Sequence, residues 1–433
     1  MNLLHINDKR GVHAPSWYAD TCGTTAQSPL ETHVSTDVCI IGAGFTGLSA
    51  ALELQSNGID CVLLEAHQVG WGASGRNGGQ LGTGFNMDQT ALESLVGRVQ
   101  AHKLWNIAES AKRWIKDTCH HYQIDIEYQP GIVYALHRQR FVKPLHQYCE
   151  YLHKQYDYTA MQALDAEQIQ RRVACPSYFG GAIDHGAGHV HPLKLAQGLA
   201  HAARKCGARL YEQSEVVRLE RKSTTEQRVI TPTGSVSCQH VILATNGYGD
   251  NLDRHLQTRL MPINNFIVVT EPLGALAEQL LPFKEAVADS RFVVNYFRRV
   301  AGDRLLFGGG ENYSYRFPKH IVPLVRKAML GIFPDVHNAA IDYAWGGTLA
   351  ITRNRLPYIR ELEPQRFTAG GYSGHGVALA CIYGKALAGK LYGDDETFTD
   401  LSCLPDRRFP GGVRSRPYIL AAAMTAYSWM DKL

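Results

Sequence analysis

Three glycines near the start of the chain have the spacing to hold a phosphate. Gly42, Gly44 and Gly47 read G-x-G-x-x-G, with Phe45 and Thr46 between the last two. A short apolar run, Val38 to Ile41, precedes them and reads as a buried parallel strand. A helical apolar pattern follows, Leu48, Ala51, Leu52 and Leu54, closed by Asn57-Gly58. Gly42 permits the tight strand-to-helix turn, Gly44 lets a pyrophosphate approach the backbone, and Gly47 lets the helix pack close to the strand. The helix start offers unpaired N–H groups and a partial positive charge. A second apolar strand, Cys61 to Leu64, runs into Glu65 and Ala66, and an acid at this distance is placed to accept hydrogen bonds from a ribose. The chemistry is dinucleotide binding.

Three later stretches add to it. Between Val69 and Gln80 five glycines surround Trp71, Ala73, Ser74, Arg76 and Asn77. Gly72, Gly78 and Gly79 let the backbone turn its amides toward a polar ligand, and Arg76 can neutralise phosphate. The strand Val241 to Ala244 runs into Thr245, Asn246, Gly247 and Tyr248, the small-residue turn that a doubly wound sheet needs at its ligand edge. The strand Arg366 to Ala369 enters a loop holding Gly371, Ser373, Gly374, His375, Gly376 and Val377. An apolar helix, Val377 to Leu391, follows, and amides at its start can stabilise negative charge.

These stretches resemble the fingerprints of the D-amino-acid-oxidase-like flavoproteins, the family that includes glycine oxidase and sarcosine oxidase. Gly72 to Gln80, Asp184 to Pro192, Trp345 to Thr348, the 370–377 loop and the ending Phe409-Pro-Gly-Gly412 with Arg414-Ser-Arg416-Pro417 resemble more narrowly the bacterial gamma-glutamylputrescine oxidoreductases. The resemblance implies FAD as cofactor and an adenine contact from the strand Glu215 to Leu219, at Val217. It implies oxidation of a primary amine, most closely gamma-glutamylputrescine: hydride passes to flavin N5, the imine hydrolyses to aldehyde and ammonia, and oxygen is the acceptor. Pocket residues expected on this basis are Tyr248, Tyr296, Trp345 and His375, with Arg298 or Arg353 for a substrate carboxylate. No cysteine lies between Cys238 and Cys381, where sarcosine oxidases make their covalent flavin link, so the FAD is expected to be non-covalent.

The expected fold is α/β, a Rossmann-type FAD-binding domain with a second α+β domain on an antiparallel sheet. An arm spans 1–34, with Trp17 and Tyr18 docked on the body. The FAD domain is assembled from 35–86, 176–251 and 344–398, the substrate domain from 87–175 and 252–343, and a tail runs over 399–433. Helical periodicity covers Asp88 to Tyr122 and Lys143 to Tyr156, then Leu193 to Cys206 and Ile321 to Ile332. Strands are expected at Ile124 to Tyr128 and Ile132 to Leu136 around a Gln129-Pro130-Gly131 turn, and at Ile263 to Thr270, Phe292 to Phe297 and Arg304 to Gly308.

Composition bounds the rest. A formal charge of +4 on 433 residues gives no reason to expect nucleic acid. The ten cysteines form no C-x-x-C and read as thiols of a reducing compartment. Without a signal-peptide core or an apolar run of about 18 residues, the cytoplasm is expected, with no stable membrane insertion; the apolar Tyr418 to Met430 is expected to pack on the body. His185, His189 and His191 fall together, yet the glycine-rich spacing and the lack of a partner acid or cysteine cluster argue against a metal. No second G-x-G-x-x-G follows a strand, which argues against a disulfide-reductase type. Three readings stay open: a cytosolic amine oxidase, a D-amino-acid or secondary-amine dehydrogenase feeding a quinone, and a flavin-binding sensor without turnover.

Overall fold

The computed structural model describes residues 2–249, 252–312 and 314–410. A six-stranded sheet carries the first glycine motif. Its order is Tyr358–Glu363, Arg366–Gly370, His240–Leu243, Val38–Ile41, Cys61–Leu64 and Arg209–Tyr211. All neighbours run parallel except the edge strand Tyr358–Glu363. Alternation of side chains divides its two faces. Val38, Ile40, Cys61 and Leu63 join the core beneath the helices Phe45–Ser56, Pro192–Lys205 and Gly376–Tyr392. Cys39, Ile41, Val62 and Leu64 meet Val229 and Val236 of a four-stranded sheet on the other side. The strands Val38–Ile41 and Cys61–Leu64 are buried at every position, which explains their unbroken apolar runs.

Two backbone approaches set this lobe. A Cβ on Gly47 would lie 2.0 Å from Gly42 O, so the helix Phe45–Ser56 sits against the turn that feeds it. A Cβ on Gly384 would lie 2.2 Å from Thr46 O, so the helix Gly376–Tyr392 crosses the first helix at backbone contact.

The second lobe is a nine-stranded sheet. Its path is Ile341–Ile351, Met261–Thr270, Arg304–Asn312, Tyr296–Val300, Ala286–Asp289, Gln129–Ala135, Gly181–His189 and Gln80–Leu81, with Met161–Leu164 also on Gly181–His189. It is antiparallel apart from the parallel pair Ala286–Asp289 and Gln129–Ala135. The lines between lobes therefore differ from the expected ones. Gly181–His189 and the whole of Ile341–Ile351, expected wholly or mostly with the FAD domain, pair in this sheet.

Several elements depart from their expected form. Gln129-Pro130-Gly131 is no hairpin turn: it lies inside the strand Gln129–Ala135, where a bulge between Pro130 and Ile132 absorbs the proline. The helical region after Asp88 is two helices, Gln89–Val96 and Arg98–His121, broken at Gly97 with φ +83°. The strand expected from Glu215 begins at Arg218, and the one expected from Phe292 begins at Tyr296. In the arm, Trp17 and Tyr18 are buried on a short helix, Trp17–Thr21. The tail from 411 onward, including Tyr418 to Met430, lies outside the described residues.

Gly47→Ala is expected to destabilise the protein by at least the 1–3 kcal/mol of an overpacked core, because backbone cannot swing aside as a side chain can. Thermal unfolding measures it, and an unchanged midpoint would show that the helix does not need this approach.

Candidate active site

The three fingerprint loops open on one cavity of about 500 Å³. The first is held from below by Glu65, which is 9 % exposed and accepts the amides of Ala43 (2.8 Å) and His67 (3.0 Å). Burial raises its carboxyl to about 7. Ser74 Oγ accepts the Phe45 N–H at 3.0 Å, so the second loop caps the first helix. Asn77 ties its own loop through Ala73 O and Ser74 O, both at 2.9 Å. In the third loop, Gly371 N–H donates to Asn246 Oδ1 (2.9 Å) and Tyr372 OH meets Thr46 Oγ1 (2.6 Å). Two helix starts, at Phe45 and Gly376, are thereby joined at the cavity.

The arm closes another side. Asn2 and Leu4 line the cavity. His67 takes the Gly11 N–H on Nδ1 and donates from Nε2 to Leu4 O, both at 2.9 Å, while its ring stacks on Trp71 at 3.9 Å. Trp71 Nε1–H donates to Val12 O (2.9 Å). Arg76 is committed to Asp8 (2.7 Å), Trp71 O (2.6 Å) and Gly346 O (3.1 Å). Its Nε and Nη1 clamp arm, loop and second lobe, while its Nη2 is buried on the cavity wall without a hydrogen-bond partner among the described residues.

Of the residues expected on the reacting side, Tyr248, Tyr296 and His375 line the cavity and Trp345 does not. Trp345 is 1 % exposed and donates its indole N–H to Arg76 O at 3.0 Å. Arg298 is also corrected: it is buried among Gly78 O, Val190 O, His189 and Tyr18. Arg353 points to solvent. Val217 is 52 % exposed, and its neighbour Val216 lines the cavity instead, as alternation in extended chain requires. Gly47, Gly79, Gly247 and Gly371 are not on the wall. Gly79 has φ +79° and would place a Cβ 2.1 Å from Val190 O, and Gly371 has φ +72°; both shape their loops. Ala66, Gly72, Ala73, Gly78, Gln80, Thr245, Asn246, Ser373, Gly374, Gly376 and Val377 line the cavity with Gly42, Gly44, Phe45, Thr46 and Glu65.

Sequence reasoning missed Asn86, Tyr134, Asn265 and Arg355, all on the wall. Each belongs to the second lobe or to a connection without a motif. Tyr134 carried one signal, a polar-tipped aromatic in a strand of apolar residues. Near a Cβ built on Gly82 lie His375 Cδ2 (3.4 Å) and Tyr134 OH (3.9 Å), so these two side chains converge. Burial lowers His375 to about 4 and raises Tyr134, Tyr296 and Tyr372. This wall is uncharged at neutral pH.

The three histidines of the 185–191 stretch go separate ways. His185 is exposed, His189 bridges Arg298 and Lys284 O (2.7 Å), and His191 accepts Lys194 N–H at a helix start. Among the described residues no three His, Cys, Asp or Glu side chains converge as a metal cage.

Comparison with known proteins agrees with this geometry. The family model of FAD dependent oxidoreductases, DAO, matches residues 37–390. The chain belongs to the DAO family. It is an FAD-dependent oxidoreductase with the DAO-type fold. It is 38% identical to the probable oxidoreductase OrdL of Rhizobium meliloti, over 96% of this chain and 97% of that one. It is 37% identical to the gamma-glutamylputrescine oxidoreductase of Escherichia coli, over 97% of this chain and 99% of that one. In structure it is similar to glycine oxidase from Bacillus cereus, with TM-score 0.71, 22% identity and coverage of 86% and 99%. L-proline dehydrogenase from P. horikoshii gives TM-score 0.70 at 19% identity, covering 90% and 99%. No helix among the described residues is long and apolar enough to cross a membrane.

The residues of this DAO-family cavity fit FAD. Thr245 Oγ1 and His375 Nδ1 are buried polar atoms on its wall without a hydrogen-bond partner, the state of groups that await a polar ligand. Amides ahead of the Leu48 N–H to Gly44 O bond have no partner within the helix. Gly44 keeps the space before them open, since a Cβ there would lie 2.8 Å from Ser74 Oγ. No cysteine lines the cavity among the described residues, and Cys381 is buried with its thiol on Val377 O.

Purified protein is expected to release intact FAD on acid precipitation. Gly44→Val should abolish flavin binding, and Glu65→Gln should weaken it about 10- to 150-fold, the loss of one charge-assisted hydrogen bond. Flavin absorbance after gel filtration reports both, and a Gly44→Val protein with normal flavin content would remove the first loop from the site.

A pH prediction follows from the buried histidines. His67 is lowered to about 4 and His189 and His191 to about 3, chiefly by burial. A folded pKa below the unfolded 6.5 means that the unfolded state binds more protons between the two values. The stabilisation is complete above about 6.5 and is lost as pH falls toward 4 and below. The thermal midpoint should therefore drop between pH 7 and 5, and less steeply in His189→Gln; equal slopes would exclude His189 as a contributor.

Proposed function

We propose that this protein oxidises a primary amine, gamma-glutamylputrescine, to an aldehyde and ammonia, with oxygen as electron acceptor. The observation that carries the reading is the end-to-end likeness to gamma-glutamylputrescine oxidoreductase of Escherichia coli. The cavity supports it. Bound FAD supplies the two-electron oxidation, so the chain needs no acid–base triad. Its residues must orient the amine, favour its neutral form and exclude water. Tyr134, Tyr296 and Tyr372 line the cavity, and an aromatic ring attracts an ammonium. The uncharged wall they form with neutral His375 disfavours a buried positive charge, so a bound ammonium gives up its proton more readily than in water. Asn265 accepts the Tyr296 hydroxyl and holds that ring. Binding of the distant acyl head positions the reacting carbon. A cytoplasmic location belongs to the same reading and is supported by ten cysteines that are all free thiols.

The test is an amine panel mixed anaerobically with the yellow protein. The expected order of flavin bleaching is gamma-glutamylputrescine, then putrescine or longer mono-acylated diamines, then glycine, sarcosine and D-alanine. Rapid recolouring in air supports an oxidase; bleaching without recolouring points to a dehydrogenase that uses a quinone, and no bleaching to a sensor. A small amino acid that bleaches faster than every mono-acylated diamine overturns the substrate.

A further inference from the structure

Six ionisable side chains line the cavity outside the tyrosines: Glu65, Arg76, Glu215, Asp289, Arg355 and His375. The charges on four of them are engaged within the protein. Arg76 is paired with Asp8, and Glu215 takes His5 and Asn2. Asp289 takes the Arg291 guanidinium and the Asn295 amide group, and Glu65 takes two backbone amides. His375 is neutral. Arg355 differs. Among the described residues its guanidinium makes no hydrogen bond or ion pair, and its contact is the face of Phe292, 5.5 Å from the ring centroid.

The backbone holds Arg355 in place. It sits in a tight turn at φ +64°, a left-handed conformation uncommon for a side chain with a Cβ. Thr352 Oγ1 closes that turn on Leu356 O (2.6 Å), and Asn354 Nδ2 fixes it to Pro405 O (3.0 Å). The Thr352 N–H donates to Ser373 Oγ in the third glycine loop (3.3 Å). Beside it Ile263, Phe292 and Leu349, packed in one cluster, give the cavity an apolar wall. The strand that precedes this turn, Ile341–Ile351, is five places from the strand of Tyr134 in the nine-stranded sheet.

A cation without a partner among the described residues, on an apolar wall, attracts a carboxylate and repels an ammonium. A substrate that carries both must therefore turn its amine away from Arg355, toward the neutral aromatic part of the cavity. We propose that Arg355 is a specificity residue that binds a carboxylate at the end of the substrate remote from the reacting amine. The substrate class is then an amine joined by a flexible chain to a distant carboxylate, as opposed to an amino acid whose reacting amine sits beside its carboxylate. This inference rests on the amine-oxidation reading above.

The experiment compares N-glutarylputrescine with N-pentanoylputrescine, in which a methyl replaces the carboxylate, by anaerobic flavin reduction of the holoenzyme. The wild-type protein is expected to favour the carboxylate by about 10- to 150-fold in kcat/KM, the worth of one charge-assisted bond. Arg355→Gln should bring the ratio close to one. Arg355→Lys, which keeps the charge and loses the fork, should fall between, and it decides the matter if Arg355→Gln does not retain flavin. A wild-type ratio near one, or a variant that keeps the wild-type ratio, overturns the proposal. If no amine bleaches the wild-type flavin, the amine-oxidation reading fails, and Arg355 is judged by titrating the flavin spectrum with glutaric acid mono-butylamide, which has no amine to oxidise. Weaker binding to Arg355→Gln than to wild type then upholds the carboxylate site, and equal binding overturns it.

Discussion

The crossing of two helices at backbone contact is the constraint on which the rest of the site depends. Gly384 against Thr46 O and Gly47 against Gly42 O leave no room for a single methyl group. This approach brings the starts of the helices Phe45–Ser56 and Gly376–Tyr392 to the same cavity, where the Thr46–Tyr372 hydroxyl bond joins them. Each start carries about half a unit of positive charge. One lies by the glycines of the first fingerprint and the other by the glycine loop that follows Arg366–Gly370. A side chain at either crossing would separate the two ends and divide one anion-binding cavity into two weak ones.

Around that crossing the structure satisfies buried charge from within. Glu212 takes the amides of Val69 (2.7 Å) and Gln27 (2.8 Å), Arg76 takes Asp8, and Glu65 takes Ala43 and His67. These bonds tie the arm, the second glycine loop and the Glu65 side of the cavity into one network. The neutral His67 ring, held by Leu4 and Gly11 on its two nitrogens, belongs to the same network. The arm is thus part of the wall, although it precedes the first sheet strand by many residues.

The second lobe contributes a different environment. Its sheet offers tyrosines, an asparagine and apolar side chains to the cavity, and its polar groups are mostly bonded before any ligand arrives. Arg298 illustrates the principle: on a strand facing the right way, it is consumed by holding Gly78 O and Val190 O. That interaction fixes the second glycine loop to the second lobe, so the joint between lobes is made of the same residues that shape the site.

What the sequence determined by itself was the fingerprint side of the cavity. Spacing of glycines, an acid after the second strand and apolar runs of strand length are local patterns, because tight turns and buried parallel strands constrain neighbouring residues. Glu65, Ser74 and Thr245 stand on the cavity for that reason. The tertiary structure decided the wall that the second lobe builds. Whether an arginine faces a ligand depends on which carbonyls and carboxylates the fold brings within reach, and these lie far away in sequence: Val190 for Arg298, Asp8 for Arg76, none among the described residues for Arg355. Val217 failed by a single residue, since one step along an extended chain turns a side chain to the opposite face. Gln129-Pro130-Gly131 read as a turn because its residues favour one, while pairing with Gly181–His189 on one edge and the bulge at Gly131 kept it in the sheet. Local chemistry sets turns and caps; long-range pairing decides which groups remain unpaired, and only unpaired groups are left to meet a substrate.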